Sequence, residues 1–327
     1  MADDPFPAWP QVEAPLEAFA GEEPPAPAWF NWAIAQEPER SMVPIDGANI
    51  ELLTWGEVGK PGLILVHGNS AHADWWSFIA PYLAADYRVA AISFSGMGGS
   101  DWREAYSFRT FAAEAHGAAL AAGLYEAPVQ PVFIGHSFGG AQVFHAAMNY
   151  PEWMRGAILV DTGFGGPPPA AEGAAEGFRS PWGRTQPNRI YPSLAAALAR
   201  FRFMPPQGCS NPYIADFIAR RSLKRVPLPE GEGEGGGEGW TWRFDPQLWT
   251  KLDRTAMESI APSAAQTPLI HIYGQNSKII ERHAQQQQSF LPPGTPQIII
   301  PDSEHHIMVD QPLALVAALR SVLACWP

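Results

Sequence analysis

Seven short apolar runs constrain this chain more than any other feature: IELLTW, LILVHG, RVAAISFSG, PVFIGHS, GAILVD, PLIHIYG and PQIIIP, between residues 50 and 301. Each ends in, or is followed by, glycine or a polar residue. A strand that is apolar at nearly every position has both faces covered, which happens in sheets that are mostly parallel. Helical spacing falls between the runs, over about 74–85, 107–123, 139–149 and 312–324. Alternating strand and helix predicts a wound α/β sheet, whose functional loops gather at the carboxyl ends of its strands.

The alternation breaks over residues 163–266, after the sixth core strand. That interval holds the helix-like segments SLAAALARF and NPYIADFIARRSL and a Gly/Glu-rich stretch at 230–239, expected to be a mobile surface loop. Trp182, Tyr191, Phe201, Phe203, Tyr213, Trp240, Trp242 and Trp249 surround that stretch. An aromatic-rich insertion between two sheet strands is expected to be a helical cap, with 44–162 and 267–327 forming the core. Residues 1–43 are rich in Pro and Trp, and prolines at this density are expected to exclude regular helix or internal strand. The segment is either a loose tail or an arm that packs its tryptophans on its own domain or on a second copy of the chain.

A net charge of −12 argues against nucleic acid or an anionic membrane surface as the main partner. Cys209 and Cys325 have no metal-type spacing and give no disulfide framework. The first residues, MADDPFPAWP, lack the basic and apolar regions of a signal peptide, and no apolar run approaches the roughly 18 residues of a membrane span. A cytoplasmic protein is the expectation. No dinucleotide or nucleotide-phosphate loop and no metal-ligand spacing occurs, so neither cofactor nor metal is expected.

The sharpest local signal is VFIGHSFGGAQ at 132–142, a strand-like run, Gly135-His136-Ser137-Phe138-Gly139, then a helix-compatible segment. This is a nucleophile elbow in its strand–turn–helix setting, with Ser137 projected from the top of the sheet. His136 is expected to be structural. A serine needs a base, and IIIPDSEHHIMVDQP supplies His305 and His306 after the last strand. The turn His67-Gly68-Asn69 follows an early strand, so the backbone N–H groups of Asn69 and Phe138 could form an oxyanion hole. Trp75 and Trp76 beside this turn, with Trp182, Trp240 and Trp242 of the insertion, are candidates for the substrate-pocket wall.

Together HGN at 67–69, SGMGGS at 95–100, GHSFGG at 135–140 and HHIMVDQP at 305–312 resemble the α/β-hydrolase fold superfamily from about residue 45 to the end. In that family the base histidine is commonly followed after five residues by an acid and after seven by proline. His305, Asp310 and Pro312 fit, whereas His306 does not. The resemblance therefore assigns the base to His305 and keeps His306 as the alternative. It also calls for an acid about three residues past Gly274, but Ser277 stands there. A second location known in parts of the fold, the end of the strand after the nucleophile helix, is occupied by Asp161. Asp302 and Glu304 share the loop of His305 and are poorer alternatives; Asp253 and Glu258 are more remote.

The expected activity is cofactor-free hydrolysis of a small-molecule ester or lactone with a bulky apolar part. Two rivals stand beside it. A carbon–carbon bond hydrolase would use the same three residues, and a non-catalytic binding protein would explain the serine at 277. Dehalogenases and epoxide hydrolases of similar architecture use a carboxylate nucleophile, which Ser137 is not.

Overall fold

The computed structural model describes residues 14–163, 186–228, 237–253, 267–282 and 291–326. Eight strands form one sheet: β1 (Glu39–Ile45), β2 (Ala48–Trp55), β3 (Gly62–Val66), β4 (Arg88–Ser93), β5 (Val132–His136), β6 (Gly156–Val160), β7 (Leu269–Gly274) and β8 (Gln297–Ile300). Their spatial order is β1-β2-β4-β3-β5-β6-β7-β8. Only the pairings of β2 with β1 and β4 are antiparallel; the other pairs are parallel.

Side chains alternate across this sheet. Leu63 and Leu65 enter one apolar core, while Ile64 and Val66 enter the core on the opposite face. One core includes helices α2 (Phe108–Ala121) and α3 (Phe138–Asn149). The other takes the terminal helix Pro312–Ala324 together with the insertion and the N-terminal segment. This two-sided burial is why the central strands β3 and β6 carry no polar side chains.

Two expectations about local structure fail. The apolar spacing over 74–85 gives no α-helix but two short 3₁₀ turns, Ala73–Trp76 and Ala80–Tyr82, the second with Pro81 inside it. The Pro-rich N-terminal segment is not free of regular structure either, since helix α1 spans Ala28–Ile34 and β1 starts at Glu39. The prolines lie where they do least harm: Pro27 just precedes the helix, Pro38 just precedes β1, and Pro44 sits in an edge strand. Phe30 of this helix is 2% exposed and packs against Phe78 of the core and Tyr213 and Phe217 of the insertion.

Within the insertion, Pro212–Arg221 is helical and Leu223–Pro227 pairs antiparallel with Glu238–Trp242. Residues 238 and 239 of the Gly/Glu stretch thus belong to a strand rather than to a mobile loop, and 230–236 lie outside the described residues. The insertion is fastened to the core. His72 Nε2 lies 3.0 Å from Ser222 Oγ, and Arg40 and Arg221 both approach the buried Asp74. No helix among the described residues is long and apolar enough to cross a membrane.

Candidate active site

The elbow is built by glycines that let two backbones touch. A Cβ on Gly135 would sit 2.5 Å from the Gly139 carbonyl oxygen, and one on Gly140 would overlap the Thr162 hydroxyl. The turn leaves Ser137 at φ 53°, ψ −118°, a conformation that costs a side-chain-bearing residue about 1–3 kcal/mol. Its N–H donates to the Val160 carbonyl (2.9 Å), which fixes the turn to the end of β6. Phe138 is the first residue of α3, where helical N–H groups lack intrahelical acceptors.

Asp161 follows β6 directly, also in the left-handed region (φ 44°), and is fully buried. Its carboxylate is well supplied with donors. Oδ1 accepts the Gly274 N–H (2.9 Å), and Oδ2 accepts the Ser277 hydroxyl (2.6 Å) and lies 2.6 Å from His305 Nδ1. On the other edge of the same imidazole, Nε2 is 2.8 Å from Ser137 Oγ. A carboxylate accepts at Nδ1, so the neutral ring carries its proton there and offers its Nε2 lone pair to the serine hydroxyl. Ser137, His305 and Asp161 therefore form one continuous hydrogen-bonded chain. Ser277, standing where the family resemblance calls for a carboxylate, donates to the carboxylate of Asp161.

His306 turns away from the serine. It is buried against Trp75 and Phe203, with ring centroids 5.3 and 5.1 Å away, and burial holds it well below the usual histidine pKa. Asp302 is exposed at the rim of the histidine loop and Asp253 is exposed at the end of the insertion, while Glu258 lies outside the described residues. His136 sits behind the site, its Nε2 on the His305 carbonyl oxygen (3.0 Å).

The HGN turn presses on the elbow: a Cβ on Gly68 would meet His136 Nδ1 at 3.0 Å and Ser137 Cβ at 3.4 Å. His67 holds the turn in place, its Nε2 accepting the Phe94 N–H (3.0 Å). Burial lowers the His67 pKa to about 3, so the ring stays neutral and keeps that acceptor. Asn69, the last residue of the turn, is half-buried.

The tryptophans expected to line a pocket separate. Trp75 stands next to the site, near His136, Phe203 and His306. Trp76, contrary to expectation, is 0% exposed within the core and lines no open pocket wall. Trp240 and Trp242 pack inside the insertion, on Arg225 and on Phe201 and Tyr191, and Trp182 lies outside the described residues.

Three residues of the insertion reach the site through partners that the sequence does not reveal. Gln207, 3% exposed, accepts the His306 N–H (2.8 Å) and donates to both carboxylate oxygens of Asp310 (2.9 and 3.1 Å). Asn211 adds bonds to the Val309 and Asp310 carbonyls (2.8 and 3.2 Å). The loop bearing His305 is thus gripped from the insertion side. Trp249 is the third such residue, donating from its indole nitrogen to Asn69 Oδ1 (3.0 Å). None of these pairings is readable from local periodicity, because each joins positions about a hundred or more residues apart.

The rings of His136, His305 and His306 bring one potential ligand atom each within 4.8 Å of one another. A zinc ion needs its nitrogens about 3.4 Å apart. Here His305 already uses both ring nitrogens and His136 Nε2 is committed to a carbonyl, so the cluster is a poor cation cage.

Residues 63–319 match the alpha/beta hydrolase family. Among curated proteins, the chain is 30% identical over 184 residues to the pimeloyl-[acyl-carrier protein] methyl ester esterase of Vibrio parahaemolyticus serotype O3:K6, covering 53% of this chain and 62% of that enzyme. It is 25% identical over 270 residues to the enzyme of the same description from Edwardsiella ictaluri, covering 80% of this chain and 92% of that one. Among solved structures, an M. tuberculosis esterase superposes with a TM-score of 0.60 at 21% identity, over 99% of this chain and 100% of that one, a likeness of fold. The chain belongs to the alpha/beta hydrolase family, and its distant relatives are esterases.

Proposed function

We propose that the protein cleaves a carboxylic ester or lactone with a bulky apolar part, by way of an acyl-enzyme on Ser137. The observation that carries this is His305, hydrogen-bonded at one edge to Ser137 Oγ and at the other to Asp161. As Ser137 attacks the carbonyl, His305 Nε2 takes its proton, and Asp161 stabilises the resulting imidazolium and holds the ring in the productive tautomer. The N–H groups of Asn69 and Phe138 receive the oxyanion. The imidazolium then protonates the leaving alcohol. Water, deprotonated by the same histidine, releases the acid and regenerates the serine.

The ester preference draws support from the relatives, which are methyl ester esterases by description. The apolar preference draws on Trp75, Phe203 and Trp249 around the site. A fluorophosphonate probe is the direct test. Wild-type protein should be labelled at Ser137, with an acyl-enzyme burst on short aryl esters, and Ser137→Ala should lose both. Absence of labelling and of turnover on aryl and methyl esters alike would refute the proposal.

A further inference from the structure

We infer that Trp249 is a positioning residue for the oxyanion site, an inference that rests on the function proposed above. Its indole touches both residues whose amides would hold the oxyanion. The Nε1–H donates to Asn69 Oδ1 at 3.0 Å, and the ring meets Phe138 edge-on, centroids 5.5 Å apart at 68°. Phe138 is packed from other directions by Phe94, Phe108 and Phe111, at 6.4, 6.3 and 5.4 Å. Trp249 thereby clamps that side chain against a built aromatic cluster. At Asn69 it ties down the side chain of a turn whose next residue, Ser70, is held in the left-handed region at φ 55°.

A clamp is useful only if it is itself fixed, and the segment carrying Trp249 is fixed to the core. The Asp245 N–H donates to the Gly96 carbonyl (2.7 Å), and the Asp245 carboxylate receives the Tyr106 hydroxyl (2.8 Å) and Lys251 Nζ (2.9 Å). Leu248 is buried in the same apolar core as α2 and α3. Leu252 and Asp253 pair in parallel with Tyr106 and Ser107. The indole therefore belongs mechanically to the sheet side of the molecule, although its sequence position lies at the end of the insertion. Oxyanion stabilisation depends on donors placed before the charge develops, so a group that sets the spacing of two donors acts on the transition state rather than on ground-state binding.

The test separates the indole N–H from the ring. Trp249→Phe keeps a ring against Phe138 and removes the donor to Asn69; Trp249→Ala removes both. Deleting an oxyanion donor outright costs about 10²–10³ in kcat, so loosening one should cost roughly tenfold. Trp249→Phe is expected to lower kcat on an aryl ester about tenfold, with KM within twofold. It should weaken inhibition by an aryl trifluoromethyl ketone, which adds to the serine as a tetrahedral oxyanion, by a similar factor. Asn69→Ala should add little further loss in the Trp249→Phe background, because both changes break the same bond. Unchanged kcat and ketone affinity, a change confined to KM, or fully additive losses would overturn the inference. If the wild-type protein neither turns over an ester nor binds the ketone, the hydrolase proposal fails and this inference with it.

Discussion

The exchange of acid positions is testable as an exchange. Asp161→Asn leaves volume and backbone in place, since Asn tolerates the left-handed conformation at φ 44°. It nonetheless destroys the charge that two 2.6 Å contacts converge on. An amide that turns its NH₂ toward His305 faces a donor, so the ring must shift its proton to Nε2, the nitrogen the serine needs. Amidating the acid of a Ser-His-Asp triad in this way costs about 10⁴ in kcat, roughly 5.4 kcal/mol of barrier at 1.36 kcal/mol per decade. Ser277→Ala removes only one hydrogen bond from the carboxylate and should leave kcat within about tenfold, with a stability loss of about 1.5–3 kcal/mol for a bond to a charged group.

The double variant Asp161→Gly/Ser277→Asp then asks whether position 277 addresses the same imidazole edge. Glycine accepts the positive φ and empties the cavity. An aspartate at 277 would carry its carboxylate carbon near the present hydroxyl oxygen and its oxygens about 1.2 Å further, into the space Asp161 leaves. The double variant should recover at least tenfold over Asp161→Gly alone, measured as initial rates on a saturating aryl ester. Asp161→Asn within tenfold of wild type would refute the assignment of the acid. A double variant no faster than Asp161→Gly would refute the claim that the two positions are equivalent.

Gly135→Ala should unfold the elbow before it affects chemistry. A methyl 2.5 Å from the Gly139 oxygen must push strand and helix apart, costing about 1–3 kcal/mol or more by denaturant titration. The Asp310 carboxyl is raised to about 7, chiefly by burial and also by the neighbouring Glu304 and Asp161 charges, against lowering bonds from the Glu304 N–H and Gln207. Its unfolded value is near 3.9. The folded form therefore holds a proton that the unfolded chain has lost between about pH 4 and 7, and the contribution of Asp310 to stability falls as pH rises through that window. Above pH 7 the cost is complete. Asp310→Asn should gain in melting temperature relative to wild type as pH goes from 5 to 8; a constant difference would show that the carboxyl titrates normally.

The parts of this fold that were legible in the sequence are those whose physics is local. Two-sided burial forces the inner strands to be largely apolar, so β2 to β7 announce themselves, while β8 is read from its apolar run although it is a largely unburied edge strand. Gly135 of the elbow is required by contacts within five residues, with Gly139 and Gly140. β1 was missed because an edge strand with an exposed face carries Glu39, Arg40 and Ser41 and does not look like the others. The 74–85 segment misled because 3₁₀ turns bury side chains at nearly helical spacing. Asp161 could be singled out only through the vacancy at Ser277. The partners of Gln207 and Trp249 leave no trace, since each lies about a hundred or more residues away and is reached through side-chain polar atoms alone.

The location of Asp161 has a consequence for how such a protein can change. The serine, the HGN turn and the aspartate hang on β5, β3 and β6, neighbouring strands in direct register, and all are encoded before the insertion begins. Only His305 arrives from beyond it. Replacing the insertion with one of different length or sequence would leave three of the four parts on an unaltered block and, provided Trp249 and the segment that carries it are kept, put a single joint at risk. That joint is where Gln207 and Asn211 hold the loop of His305. Recombination of lids between relatives should thus succeed or fail on whether the graft brings a donor–acceptor pair to those two positions, almost irrespective of the aromatic surface it presents to substrate.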